Sequence, residues 1–245
     1  MKIRASIIMP VKNGENYIEE SLESVILNTL ESDEIIIIDD GSEDKTLTII
    51  DELMGIHKRI ILFKGNNLLP SGARNIGLKY ARGEFVTFID HDDLWPPYRL
   101  KHHISILNES PKTDVVRGKV LYFSDDQLKL TEFDFLSEDN TVYQVNLGSF
   151  TFRKIVFEHI GFFNETLKFG EDVDLFFRLN ESQIQIYNDE LISLKYRIHD
   201  NNMTHNKAEN NKRVFFKLLA MSIKRRRDSN NTSNIKSFVG VDYGK

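Results

Sequence analysis

The chain has 245 residues, 40% hydrophobic and 28% charged, enough for one large domain or one domain with an appendage. A net charge of −5 gives no bulk electrostatic reason to bind nucleic acid, and the absence of cysteine excludes disulfides and thiolate metal sites. The opening MKIRASIIMPVKNG is too short and too broken by Pro10 and charge for a signal segment, and no stretch approaches the roughly 20 apolar residues needed to span a bilayer, so a cytoplasmic protein is expected.

Ala5 to Met9 predicts a first strand, stopped by Pro10. Glu15 to Leu30 is amphipathic, with Ile18, Leu22, Val25 and Ile26 at helical spacing. Glu34 to Ile38 is a continuous apolar run, as expected of a strand buried on both faces, and it ends in the turn sequence Asp39-Asp40-Gly41-Ser42. Lys45 to Met54 predicts a helix, Ile60 to Phe63 a strand, Ser71 to Ala81 a helix and Phe85 to Ile89 a fourth strand. Strand alternating with helix four times over predicts a parallel, right-handed, doubly wound α/β sheet. Ligands in such sheets bind beyond the carboxyl ends of the strands. Pro10 to Asn13, Asp39 to Asp44 and Asp90 to Asp93 should therefore meet at one crevice.

The second half is less regular. Pro96 to Leu107 predicts a helix and Val115 to Phe123 a strand, while residues 124–147 are acidic and polar without a clear period. Phe150 to Phe152 predicts a strand, Lys154 to Ile160 a short helix and Glu171 to Asn180 a helix. Ile186 and Tyr187, then Ile192 to Arg197, predict two short strands. Lys207 to Arg227 predicts a helix ending in four basic residues, followed by a polar tail.

The run FVTFIDHDDLW, residues 85–95, delivers three carboxylates to the binding edge of the sheet. They suit a hard divalent cation, Mn or Mg better than Zn, or else a solvated turn where Asp is common. His91 points away if the strand alternation persists, whereas His199 in YRIHDNN comes from a separate loop and could close a ligand set. Asp39-Asp40 offers charged acceptors in a turn that could also cap the next helix. Arg74 sits in the first turn of its helix against the dipole, which an anion nearby would offset. Asp172 shares a helix face with Leu175, Phe176 and Leu179 and should point inward, with Asp174 facing out to pair with Arg178.

Five segments, SIIMPVKNGENYIEESLESV, IIIIDDGSEDKT, PSGARNIGLKYARGEFVTFIDHDDLWPPYRL, GFFNETLKFGEDVDLFFRL and YRIHDNN, stand in the order and spacing of one family. Over about residues 3–200 the chain resembles the family 2 glycosyltransferases of the GT-A fold. The resemblance implies an inverting, metal-dependent hexosyl- or N-acetylhexosaminyl-transferase that uses a UDP-sugar, in bacterial-type surface polysaccharide or glycoconjugate synthesis. It implies that Pro10 and Asn13 line the nucleoside pocket, that Asp40 bonds uracil and that Arg74 lies near the base or diphosphate. Asp90 would bind ribose and metal, Asp92, Asp93 and His199 would hold Mn or Mg, and Asp172 of the Glu171-Asp172 pair would be the catalytic base. Trp95 would stack on a sugar or pack in the core. Lys12 departs from the pattern, and residues 124–147 match nothing firmly, so the glycan or lipid-linked acceptor is not identified.

The implied organisation is one domain over 1–205, with a nucleotide-sugar half (1–95) and an acceptor half (96–205), then a helix and loose tail over 206–245. The helix over 207–227 either docks on the domain or lies on an anionic membrane, which would place the protein peripherally at the inner membrane face. Two other readings remain: a sugar nucleotidyltransferase, though MPVKNGEN offers one glycine where a glycine-rich loop is usual, and a non-catalytic sugar-binding module.

Overall fold

The computed structural model describes residues 2–124, 126, 130, 139–200, 202 and 208–228. Its first half alternates as predicted. β1 (Ala5–Val11), β2 (Glu34–Asp39), β3 (Ile60–Lys64) and β4 (Phe85–Phe88) are all parallel, and α1 (Ile18–Asn28), α2 (Thr46–Ile56) and α3 (Leu69–Tyr80) join them. β2 is buried at every position, and its alternation divides the core. Ile35 and Ile37 face α1 and α2, whereas Ile36 and Ile38 face α3 on the other side. Pro70 opens α3, where its missing N–H costs nothing. Gly77 lets α3 lie close on β1, since a Cβ there would stand 2.4 Å from Ile8 Cγ2.

β1 runs through Pro10 instead of stopping there. The ladder explains this. Ile8 turns its carbonyl to β4, accepting from Ile89 N–H, and Pro10 has the same parity. β4 pairing ends opposite Ile8, so the N–H that Pro10 lacks would have faced no strand.

The second half comprises α4 (Arg99–Glu109), β5 (Val115–Phe123), β6 (Thr141–Val142), β7 (Phe150–Arg153), α5 (Val156–Ile160), α6 (Glu171–Glu181), β8 (Ile186–Arg197) and α7 (Ala208–Asp228). Among the described residues the sheet has eight strands in the order β3-β2-β1-β4-β7-β5-β6, with β8 on β5. β7 is antiparallel to both β4 and β5, and β8 is parallel to β5. The sheet is thus mostly parallel, with a short reversed insertion. Where two strands are expected over 186–197 there is one, with register shifts near Arg117 to Val120. Gly118 makes the close approach possible there, because a Cβ would stand 1.8 Å from Ser193 Oγ.

α6 carries a further layer. Leu218 of α7 is fully buried with Leu167 and Phe177, and Val214, Phe215, Leu219 and Met221 pack around them. This corrects the reading of Asp174 as half of a solvent pair. Its bond to Arg178 Nε exists at 2.9 Å, but the carboxylate is buried and also meets Arg225 Nη1 of α7 at 3.1 Å. Periodicity marks which side of a helix faces a sheet; it does not reveal that the opposite side will be covered. The polar tail over 229–245, like much of 124–138, falls outside the described residues.

Leu218→Ala should lower stability by about 2–5 kcal/mol, the usual cost of emptying a buried leucine site. Urea denaturation checks this, and an unchanged midpoint would show that α7 does not dock as described.

Candidate active site

The loops after β1 and β2 hold each other. Asn13, at φ +53, donates its N–H to Ser42 Oγ (2.8 Å) and accepts from Glu43 N–H through Oδ1 (2.9 Å). Asp39 closes the turn after β2 by accepting from Gly41 and Ser42 N–H, both at 3.2 Å. Asp40 accepts from Leu68 N–H at 2.8 Å and Leu69 N–H at 3.2 Å. It therefore caps α3, one crossover later than the helix expected, while Asp44 takes Thr46 N–H at the start of α2 (3.0 Å). Two of the lone-pair sites of Asp40 remain for a further donor. Pro10 is half-buried in β1 beside these loops.

Arg74 is the crossing point of the site. Its Nη2 donates to Asp90 Oδ1 at 2.6 Å and its Nη1 to Glu171 Oε1 at 2.5 Å. Burial alone would loosen its proton, but the charges of Asp90 and Glu171 outweigh that and hold it more tightly than on an ordinary arginine. The offsetting anions expected near Arg74 are thus two of the protein's own carboxylates. Glu171 is committed to this pair, and Asp90 keeps one oxygen outside it.

Asp172 lies beside them in the first turn of α6, partly accessible. Its Oδ1 accepts from Val173 N–H at 2.7 Å. Burial pushes its carboxyl up to about 7, and the charges of Glu171 and Asp90 add to this. The Val173 N–H and the Arg74 cation pull the other way. A carboxylate that holds its proton near neutrality is matched to taking a proton from a hydroxyl.

Asp92 and His199 meet across the crevice, Oδ2 to Nε2, at 3.0 Å. Asn202 Nδ2 stands 3.2 Å from the same ring nitrogen, and Tyr17 stacks on the ring with centroids 4.7 Å apart. Burial would raise the Asp92 carboxyl, but His199's hydrogen bond and the neighbouring imidazoles hold it below the ordinary range. Asp93 is fully buried. Its Oδ1 accepts from Arg197 N–H at 3.0 Å, and Oδ2 has no hydrogen-bond partner among the described residues. Burial, with the charges of Asp92 and Asp90, drives this carboxyl well above the ordinary range.

Among the described residues no three His, Asp or Glu side chains close on one point, so the four expected metal ligands are not assembled as a set. The chemistry still fits a divalent ion. A carboxylate oxygen and an imidazole nitrogen, both donor types that Mn or Mg takes, already meet at Asp92 and His199. Asp93, next in the chain, adds a buried carboxylate oxygen that no described residue bonds.

Of the two readings of Trp95, sugar stacking or core packing, the structure has the second. Trp95 is buried, with the Arg99 guanidinium 4.3 Å over its ring. Arg99 is itself buried, donates to Thr87 Oγ1 and to the carbonyls of Gly148 and Phe150, and has its pKa lowered to about 9 by burial. His91 packs on Gly14, where a Cβ would lie 2.5 Å from the ring. Sequence reasoning overlooked Tyr17 and Arg197. Arg197 reaches Glu20 and the Asp92 carbonyl and lies 5.1 Å from the Tyr17 ring, bracing the loop that carries His199. Its place two residues before His199 was the available signal.

A mostly parallel sheet between helical layers, with acids gathered past β2 and β4 and at the start of α6, defines a GT-A fold, and the neighbours agree. The chain aligns with TarS of S. aureus in complex with UDP-GlcNAc at TM-score 0.70 and 21% identity, covering 89% of this chain and 65% of that one. It aligns with the mannosyltransferase PcManGT of Pyrobaculum calidifontis, in complex with GDP-Man and Mn2+, at TM-score 0.64 and 17% identity, covering 82% and 59%. The model of glycosyl transferase family 2 matches residues 6–165, and the chain belongs to that family. It is 32% identical over 217 residues to an uncharacterized glycosyltransferase of Rickettsia typhi, covering 82% of this chain and 65% of that protein. It is 29% identical over 189 residues to the minor teichoic acid biosynthesis protein GgaA of Bacillus subtilis, covering 71% of this chain and 42% of that one. The chain thus spans less than two thirds of the length of these relatives.

Asp172 has a stability signature. Its folded pKa exceeds the ordinary value, so between pH ~4 and ~7 the unfolded state releases a proton that the folded state keeps, and stability falls across that window. Asp172→Asn should therefore raise the melting temperature more at pH 8 than at pH 4. Equal shifts at both pH values would contradict a raised pKa.

Proposed function

We propose that the chain is an inverting glycosyltransferase that moves a sugar from a UDP-sugar to an acceptor hydroxyl, in surface polysaccharide or glycoconjugate synthesis. The observation that carries this reading is Asp172, a partly accessible carboxyl held up to about 7 beside Arg74, Glu171 and Asp90. Membership of the family and the likeness to a teichoic acid biosynthesis protein support it.

Asp40 accepts the imide N–H of uracil with the lone pairs its backbone bonds leave, while Pro10 and Asn13 shape the nucleoside pocket. The TarS complexes with UDP and UDP-GlcNAc favour uridine, and PcManGT with GDP-Man shows that the fold admits another base. Asp90 reaches the ribose with the oxygen that Arg74 leaves. Asp92 and His199 would hold Mn or Mg, with Asp93 buried behind them, and the ion when bound supplies positive charge for the diphosphate leaving group. Asp172 takes the proton of the acceptor hydroxyl as its oxygen bonds to the anomeric carbon. The bond from that carbon to UDP breaks on the opposite face, so configuration inverts. Glu171 and Arg74 hold Asp172 in place. Among the described residues no helix is long and apolar enough to cross a membrane.

A panel of UDP-sugars, each with and without Mn, tests the reading. UDP should raise the melting temperature only with Mn or Mg present, and CDP much less. Release of pyrophosphate from sugar phosphate and UTP would instead show a nucleotidyltransferase, and binding without turnover a non-catalytic module.

Asp172→Asn should bind UDP normally and lose at least ~10²-fold in transfer. For the unaltered chain kcat should climb with pH to a plateau above ~7, following ionisation of Asp172. A flat profile from pH 5 to 9 would remove Asp172 as the base.

A further inference from the structure

Among the described residues α7 docks through one side. Val214, Leu218 and Ser222 turn toward α6, and Arg225 ties the helix to Asp174 and Glu181. The opposite arc carries Arg213, Phe216, Lys217, Ala220, Ile223, Lys224 and Arg227, all exposed. At 100° per residue these seven fall within a third of the helix circumference. Phe216 and Ile223, 65% and 40% exposed, lie along one edge of that arc, with the four cations beside them. No acid interrupts the arc between Arg213 and Arg227.

Two features argue for an occupant. The chain as a whole is acidic, at −5, yet this strip is purely cationic, so its complement is an anionic surface. The cations and the apolar side chains also share one arc, so both can touch a single plane together. That suits a bilayer, where long basic side chains reach headgroups while Phe and Ile enter the acyl boundary. We propose that the outward face of α7 is a docking surface for a bilayer containing anionic lipid.

The consequence for the site is positional. Val214 and Leu218 pack on Gly170, the residue before Glu171 and Asp172, at 3.0 and 2.9 Å from where a Cβ would stand. The helix that would touch the lipid therefore abuts the turn that carries the proposed base. This deepens the glycosyltransferase reading by favouring an acceptor with a lipid carrier, and it rests on that reading only for this consequence.

Vesicle sedimentation of the full chain tests the docking surface, comparing phosphatidylcholine alone with vesicles holding about 30 mol% phosphatidylglycerol. Binding should require the anionic lipid and fall away in about 0.5 M salt. Each cation near an anionic surface contributes about fivefold, so Lys217→Glu with Lys224→Glu should cost at least ~25-fold. Phe216→Ala should weaken binding at low salt. The three side chains are exposed, so melting temperature and UDP-sugar hydrolysis should stay unchanged. Equal binding to both vesicle types, full binding by the doubly charge-reversed variant, or self-association through this face in sedimentation equilibrium would overturn the proposal. Vesicle binding without any UDP-sugar turnover would leave the surface standing and sink the glycosyltransferase reading instead.

Discussion

The guanidinium of Arg74 is the interaction on which the rest of the crevice depends. It is buried, and a buried cation is tolerated only when it is paired and hydrogen-bonded. Its partners come from different elements: Asp90 follows β4, and Glu171, 97 residues after Arg74, opens α6. Such a pair adds little net stability against an apolar replacement, but breaking it is costly because a charge is left stranded. The pair thus fixes where the end of β4, the start of α3 and the start of α6 stand relative to one another. Asp172 is left beside that cation without a direct bond to it. Arg74 draws its pKa down while burial and Glu171 push it up, and the upward push wins.

The first turn of α6 holds three acids, which the positive end of the helix favours. Their surroundings separate them. Glu171 is bound to α3 through Arg74. Asp174 is bound to α7 through Arg225 and to its own helix through Arg178. Asp172 bonds the N–H of its neighbour and stays partly accessible. Two acids brace the helix from opposite sides, and the third takes part in neither ion pair. α7 therefore belongs to the architecture of the site, although it lies one layer behind it.

The acids past β4 divide in a similar way. Asp90 turns to Arg74 and Asp92 to His199, while Asp93 is drawn into the interior against Arg197 N–H. Three neighbours in sequence thus face three different elements. The turn after β4 makes this possible, with Asp93 N–H bonded to the Asp90 carbonyl (3.2 Å). Trp95 continues into the core, where Arg99 covers it and also satisfies the carbonyls of the turn at 148–150.

The alternating half of the fold was legible because its signals are local. A run such as Glu34 to Ile38 must be buried on both faces, and α1 and α3 carry their apolar residues at helical spacing. The crevice followed, because parallel strands carry their loops to one edge and the acids sit in those loops. What the sequence could not decide was pairing across distance. The reversed β7, the single long β8 and the passage of β1 through Pro10 depend on which strands lie alongside and where they end. The roles of Asp174 and Trp95 depend on α7 and Arg99 covering them, and no window around either residue contains its cover. The sequence by itself determined which residues could do chemistry and which edge of the sheet they reach. Only the tertiary structure decided which carboxylate keeps its proton, because that depends on burial and on charges brought in from other elements.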